Sequence, residues 1–372
     1  MKTVNGYEII QLFESWSPKT YALEGDPVGL HIGQLNRPVE NVLVTLDVTI
    51  EVVQEAIDQN CQLILAHHPP IYRPLKNLRT DTPSGKLMEL CIKNDIAVYA
   101  AHTNLDVAPG GVNDLLAEAL QLQDINVLEE TYSEPLLKLA VYVPTLDAPQ
   151  LRRHLALAGA GKIGHYDSCS FSMKGSGRFQ PLDGANPYIG DVNHLEEVEE
   201  EKVEVVFASS KKSKVLKAMY ANHPYEEVAF DLWTLESRAE QQGIGRIGSL
   251  SQPMTLDSFA AKVKEQLDVP FVRVVGIGSA EIRKVAVLGG DGNKYIQKAK
   301  RAGAEVLVTG DLYFHVAQDA QALGLSVIDP GHHVESIMKK GVSEKMNALC
   351  GNKNYKCSFI PSSISTEPFR LI

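Results

Sequence analysis

The sequence predicts an α/β protein: two similar βαβ-containing lobes forming one duplicated body, interrupted by an inserted ferredoxin-like α+β domain. Three observations carry this. Short β-branched runs alternate with amphipathic stretches near both ends of the chain, as buried parallel strands joined by helices require. Those two ends repeat each other at a constant offset. The middle repeats neither.

The repeat is read position by position. "NVLVTLDVTIEVVQEAIDQNCQLILAHHPP" begins at Asn41, and "KVAVLGGDGNKYIQKAKRAGAEVLVTGDLYFH" begins at Lys284. Val42, Val44, Ala56, Leu63 and Leu65 fall opposite Val285, Val287, Ala299, Val306 and Val308. Each segment reads strand, turn, amphipathic helix, strand, which implies parallel units with right-handed crossovers. The next unit repeats as well. "IAVYAAHTNLD" from Ile96 aligns without gaps on "LSVIDPGHHVE" from Leu325, placing Asp106 opposite Glu335. On the first alignment His68 falls opposite Asp311.

Between the lobes, "LLKLAVYVP" is a strand, and "TLDAPQLRRHLALAG" is a helix with Thr145 or Asp147 as its cap. Gly/Ser-rich loop and hairpin follow, then the acidic run "HLEEVEEEK", the strand "VEVVFAS", the helix "KKSKVLKAMYANHPY" and the strand "EVAFDLWTL". Two βαβ units with added strand make a ferredoxin-like arrangement. "ESRAEQQGIGRIG" returns the chain as a polar, Gly-containing linker. The expected divisions are an N-terminal lobe at 1–130, an insertion at 131–242 and a C-terminal lobe at 243–372.

Composition narrows the function classes. Over 372 residues, 44% hydrophobic and 22% charged is a globular balance, and a net charge of −10 disfavours nucleic acid and anionic membrane as partners. Five scattered cysteines with no CxxC pair suggest neither a thiolate zinc ribbon nor a disulfide framework. The opening "MKTVNGYEIIQLFESW" lacks the unbroken apolar stretch of a signal peptide. No apolar run approaches the roughly eighteen residues of a membrane span. The expectation is a soluble, cytoplasmic protein.

Chemistry concentrates at strand tips. "LILAHHPP" ends an apolar run in two adjacent histidines, and ligands of open parallel sheets collect beyond the carboxyl ends of strands. His67, His68, Asp106, Asp311, His332 and Glu335 all follow expected strands, so two facing lobes would pool them in one cleft. Imidazoles and carboxylates suit Zn, Fe or Mn as divalent ions, and Asp106 or Glu335 can bridge two of them. A lone strand-end histidine is ordinarily a satisfied structural group. Two HH pairs in one chain shift the balance toward ligation. Asp106 could instead cap the helix in "APGGVNDLLAEAL", although Asn113 is better placed for that, and Glu335 could simply favour a helix dipole. His102, four residues before Asp106, would suit a contact with a ligand's far side or with substrate, and His315 is either a proton donor into the same cleft or an ordinary helix residue. "GGDG" at Gly289–Gly292, between strand and helix, is a weaker candidate for phosphate.

These elements resemble a known family. "AHHPP", "HTNLD", "TGDLYFH" and "GHHVE", in that order, look like the Nif-three-like proteins, labelled GTP cyclohydrolase 1 type 2 homologues, and "HPYEEVAFDLW" resembles their PII/CutA-like insertion. The resemblance covers nearly all of both lobes. It implies two divalent transition-metal ions per chain and a toroidal homohexamer, with ligands His67, His68, Asp106, His332 and Glu335. Many members space the last His and Glu by four residues, whereas His332 is three from Glu335. The ligand is thus His332 or His333, and His332 is taken because it directly follows Gly331. The label implies a metal-activated water that opens the guanine imidazole of GTP and releases formate, although nothing in the sequence reads guanine. The alternative is a metal-binding regulatory or trafficking protein whose PII-like insert senses a ligand, without turnover.

Overall fold

The computed structural model describes residues 1–370, the side chains of residues 238–240 apart. The chain divides into two compact units, Met1–Tyr132 with Gln242–Ile372, and Ser133–Gln241. It is a mixed α/β protein whose strands belong to two sheets. In chain order the first four strands are β1 (Gly29–Ile32), β2 (Asn41–Thr45), β3 (Leu63–Ala66) and β4 (Ala97–Ala100). The long strand β5 (Gln123–Pro144) is followed by β6 (Phe171–Phe179), β7 (Glu196–Ala208) and β8 (Phe230–Thr255). The last five are β9 (Arg273–Val275), β10 (Glu281–Asp291), β11 (Val306–Gly310), β12 (Ser326–Asp329) and β13 (Ser358–Pro361).

In the larger unit, one sheet runs β1-β4-β3-β2-β13, with β13, β2, β3 and β4 mutually parallel and β1 antiparallel. The other runs β8-β10-β11-β12-β9, with β10, β11 and β12 parallel between antiparallel neighbours. Side chains alternate faces along a strand, and here both faces are buried. Val42, Val44, Leu63, Leu65, Val285, Val287, Val306 and Val308 all enter one shared core. Leu43, Ile64 and Ala56 fill a second core over one sheet, and Ala286, Leu307 and Ala299 a third over the other.

The two sheets keep step in register. Val42 pairs with Leu63 and Val44 with Leu65, just as Val285 pairs with Val306 and Val287 with Val308. Val98 lies beside Ile64, and Val327 beside Leu307. Positions matched in sequence thus occupy matched strand pairs and matched core faces.

In the smaller unit, Leu136–Pro144 of β5 pairs antiparallel with β7, and β7 with β6. Two helices, Ala148–Leu157 and Lys212–Asn222, bury Leu151, Leu155, Val215 and Met219 against Val141, Val143, Val203 and Val205. Asp147 is the cap residue of the first helix, with no side-chain capping bond. No helix among the described residues is long and apolar enough to cross a membrane.

The segment after β13 is tied back by a buried carboxylate. Glu55, on the helix Ile50–Asp58, accepts from the Ser362 and Ser363 hydroxyls at 2.5 and 2.6 Å and from the Ser363 N–H at 2.8 Å. Burial pushes its carboxyl up, but those hydrogen bonds outweigh burial and hold it below its ordinary 4.5. The contact therefore stabilises the fold above that ordinary value and is lost as pH falls through the lower folded value. Replacing Glu55→Gln is expected to cost about 1–3 kcal/mol in urea unfolding at pH 7. The gap between variant and wild type should narrow as pH falls below the ordinary 4.5.

Candidate metal centre

Strand geometry assembles the site. His67 and His68 leave β3 with their N–H groups still paired, to the carbonyls of Thr45 and Leu46 at 3.0 and 2.9 Å. Asp106 lies on the short helix Thr103–Val107 just after β4. Glu335 sits in the 3₁₀ turn His332–Ile337 after β12, entered through Gly331 at φ 89°. Parallel strands of both sheets thus deliver the groups beyond their carboxyl ends.

Each histidine is anchored through Nδ1. His67 donates to the Ala101 carbonyl at 2.8 Å, His68 to Asp47 at 2.6 Å, His102 to Asp26 at 2.7 Å and His332 to Asp311 at 2.7 Å. A carbonyl or carboxylate only accepts, so Nδ1 carries hydrogen and Nε2 remains for the cluster. Such outer partners fix ring orientation in metal sites. Asp47 is held in turn by the Thr366 hydroxyl at 2.5 Å.

Glu335 is the shared group. Its Oε2 lies 3.0 Å from His68 Nε2 and 3.1 Å from His332 Nε2, and its Oε1 lies 3.8 Å from His67 Nε2. His67 Nε2 is also 3.6 Å from Asp106 Oδ1. Three overlapping sets place their ligand atoms within 4.8 Å: His67, Asp106 and Glu335; His68, His332 and Glu335; and His67, His68 and His102.

The donor set fits a divalent ion. His67 Nε2 and Asp106 Oδ1 are buried without a hydrogen-bond partner, a state that ordinarily costs about 1–3 kcal/mol per group. Two ligands at about 2.1 Å from one tetrahedral ion lie roughly 3.4 Å apart, close to the separations seen here. The backbone leaves room as well. A Cβ on Gly290, at φ +63°, would stand 2.6 Å from Glu335 Oε1 and 3.3 Å from His332 Nε2.

Charge is balanced internally. Burial opposes a proton on His67, but Asp106 and Glu335 outweigh it and raise the pKa. Burial likewise opposes one on His68, yet Asp47 and Glu335 push it up to about 10. The bond to Glu335 raises His332 to about 9. Burial lifts Asp106 to about 6. Glu335, which burial alone would raise, is held well below its usual range by His332, His67 and His68. A cation taking these ligands must displace protons from the imidazoles.

The structure thus brings together His67, His68, His102, Asp106, His332 and Glu335. His333 does not join them: burial lowers its pKa, and its Nε2 is buried without a partner. His315 is exposed on the helix Phe314–Ala322, with Nδ1 3.2 Å from Gln318 Oε1, and no polar contact ties it to the cluster among the described residues. Asn113 is not a cap. Gly111 precedes the helix Val112–Ala119, and buried Asn113 donates to the Asp106 carbonyl at 3.0 Å and accepts from the Gly289 N–H at 2.9 Å. Arg246 secures that helix through Asp114, at 2.5 and 2.8 Å, and reaches the Val107 carbonyl at 3.3 Å. Gly289 and Gly290 of "GGDG" back the Glu335 carboxylate, and the helix beyond them, Ile296–Arg301, is only 6 residues long. Nothing in the sequence singles out Asp47 or Asp26, although Asp47 follows a strand as the histidines do.

The model of the family Duf34/NIF3 (NGG1p interacting factor 3) matches residues 4–368. The chain belongs to this family. It is 57% identical over 371 residues to a Bacillus subtilis protein named GTP cyclohydrolase 1 type 2 homolog, covering 100% of both chains. A Halalkalibacterium halodurans protein of the same name is 54% identical over 372 residues, again covering 100% of both. Among solved structures, a Bacillus cereus protein related to NIF3 superimposes with a TM-score of 0.95 at 52% identity, over 100% of both chains. Staphylococcus aureus protein SA1388 follows with a TM-score of 0.82 at 31% identity, also over 100% of both.

If the buried donors are completed by ions, metal binding supports the fold by mass action. Chelator treatment is expected to lower the melting temperature by several degrees, with recovery on adding zinc, iron or manganese. In His67→Ala, the melting temperatures with and without chelator should coincide.

Proposed function

We propose that this member of the NIF3 family is a dinuclear metal-dependent hydrolase acting on a nucleotide-like substrate in the cleft between its two lobes. One observation carries the reading: the two oxygens of Glu335 face different imidazoles, Oε1 toward His67 and Oε2 toward His68 and His332. A carboxylate so placed can serve two ions, with Asp106 and His67 on one side and His68 and His332 on the other. Bound ions would supply Lewis acidity and bring the pKa of a water toward neutrality.

The chain's own residues do the rest. Asp47, Asp311 and the Ala101 carbonyl keep His68, His332 and His67 in the orientation ligation requires. His102, centred 5.3 Å from His67 and held by Asp26, is placed to move a proton beside the cluster. His315 lacks such a contact among the described residues and is the weaker candidate. The name carried by the relatives suggests GTP as the first substrate to try, with opening of the guanine imidazole and release of formate. In this reading the lobes are duplicates, the insert of about 131–242 is a ferredoxin-like, PII-like domain, and the chains assemble as a cytoplasmic homohexamer.

A metal-binding regulatory or trafficking role is the competing reading, favoured by the depth of the cluster: Glu335 and Asp106 are only 3% and 6% exposed. Catalysis needs access, which the partly exposed rings of His68 and His332 provide.

Elemental analysis is expected to find two transition-metal ions per chain, and Asp106→Ala is expected to abolish formate release from GTP while sedimentation still reports the hexamer. Retained metal with no turnover of any nucleotide in the wild type would favour the regulatory reading. Asp47→Ala, which frees the His68 ring, should weaken metal binding about 10–100-fold in competition with a chelating dye.

A further inference from the structure

Beside the cluster opens a cavity of about 590 Å³. His68 and His332 form part of its wall, and Phe271, Arg273, His333 and Phe369 form another part. Most of its polar groups already have partners. Asp47 accepts from His68 and Thr366, Asp311 accepts from His332, and Glu367 accepts from the Phe369 N–H. Asp329, 1% exposed, accepts from the N–H groups of Leu312 and Gly331 at 3.0 and 2.8 Å and pairs with Arg273 Nη2.

Two groups are left over. Arg273 uses Nη2 alone, for Asp329 and for the Leu312 carbonyl at 3.1 Å. Its Nε and Nη1 have no hydrogen bond among the described residues, and its side chain is 57% exposed. A guanidinium carries five N–H donors in a planar fork, so the arginine is oriented by Asp329 with donors to spare. His333 lines the same cavity, and its Nε2 is buried without a partner. A buried polar atom ordinarily finds a hydrogen bond, so this one lacks a group that the chain does not supply. Phe271 and Phe369 add apolar wall beside both.

We propose that Arg273 and His333 form a recognition subsite for the phosphate of a phosphorylated, ring-bearing substrate whose ring lies against Phe271 and Phe369. Arg273 meets the phosphate through its unused donors, the pairing for which a fixed guanidinium is suited. His333 completes the contact by turning its ring so that Nε2, closed to solvent here, faces the cavity. The inference rests on the cavity serving the substrate, as read above, and adds the residues that would meet the substrate's phosphate. It also gives the second histidine of "GHHVE" a role apart from the ions.

The test compares guanosine, guanosine monophosphate and inorganic phosphate by calorimetry on the full chain with its metal complement. Wild type is expected to bind the nucleotide at least about tenfold tighter than the nucleoside, as a charge-assisted contact allows. Arg273→Gln should bring that ratio close to one, with nucleoside affinity and metal content unchanged, and Arg273→Lys should restore part of it. His333→Phe should lower nucleotide affinity several-fold. Inorganic phosphate binding as tightly as the nucleotide would remove the ring from the proposal and overturn it. If Arg273→Gln melts early, Arg273→Lys decides, since it keeps the charge near Asp329 while losing the fork. A wild-type ratio kept in both variants overturns the subsite and leaves the hydrolase reading intact. Failure of wild type to bind any nucleotide overturns both.

Discussion

The site depends on one buried carboxylate. Glu335 reaches the centre of the larger unit because Gly331 takes a backbone turn that side chains resist, and because Gly289 and Gly290 carry no Cβ to obstruct it. Burying a carboxylate is costly unless cations or hydrogen-bond donors surround it. His67, His68 and His332 come from strand ends in two sheets to do so. The histidines are themselves held by acceptors on their far sides. Glu335 is thus the point where the packing of the two sheets and the chemistry of the cleft become one problem.

Support for that carboxylate extends well beyond the turn that carries it. Asn113 spans from the Asp106 carbonyl to the Gly289 N–H, joining the short helix after β4 to β10. Arg246 makes a bidentate pair with Asp114 one helix position further along. Such a paired, nearly buried arginine is weak support for overall stability but fixes geometry well. The cluster is therefore held by polar contacts at its back and by the shared apolar core beneath it.

Much of this was legible in the sequence because it follows from periodicity. Apolar runs of four or five residues, repeated at a fixed offset, declare buried parallel strands, and the groups just past them declare a cleft. Val42 with Val285 and Leu63 with Val306 carried that reading, and the registers agree with it. The groups that hold the histidines were not legible. Asp47 and Asp26 are far in sequence from His68 and His102, and a carboxylate in a turn looks like any capping residue until the fold brings it near. Asn113 misled for the same reason: its position suits a cap, but a buried bridge to β10 outweighs a local hydrogen bond. The choice between His332 and His333 also needed three dimensions, because adjacent residues in a 3₁₀ turn point in different directions.

The segment after β13 has a consequence for how the molecule tolerates change. Ser362 and Ser363 bind Glu55, and Thr366 binds Asp47, the residue that orients His68. A stretch that makes no contact of its own with the ligand atoms therefore sets the angle of one imidazole. A change at Thr366 would therefore reach the histidine cluster through Asp47, whereas a change at Ser362 or Ser363 would reach the fold through Glu55.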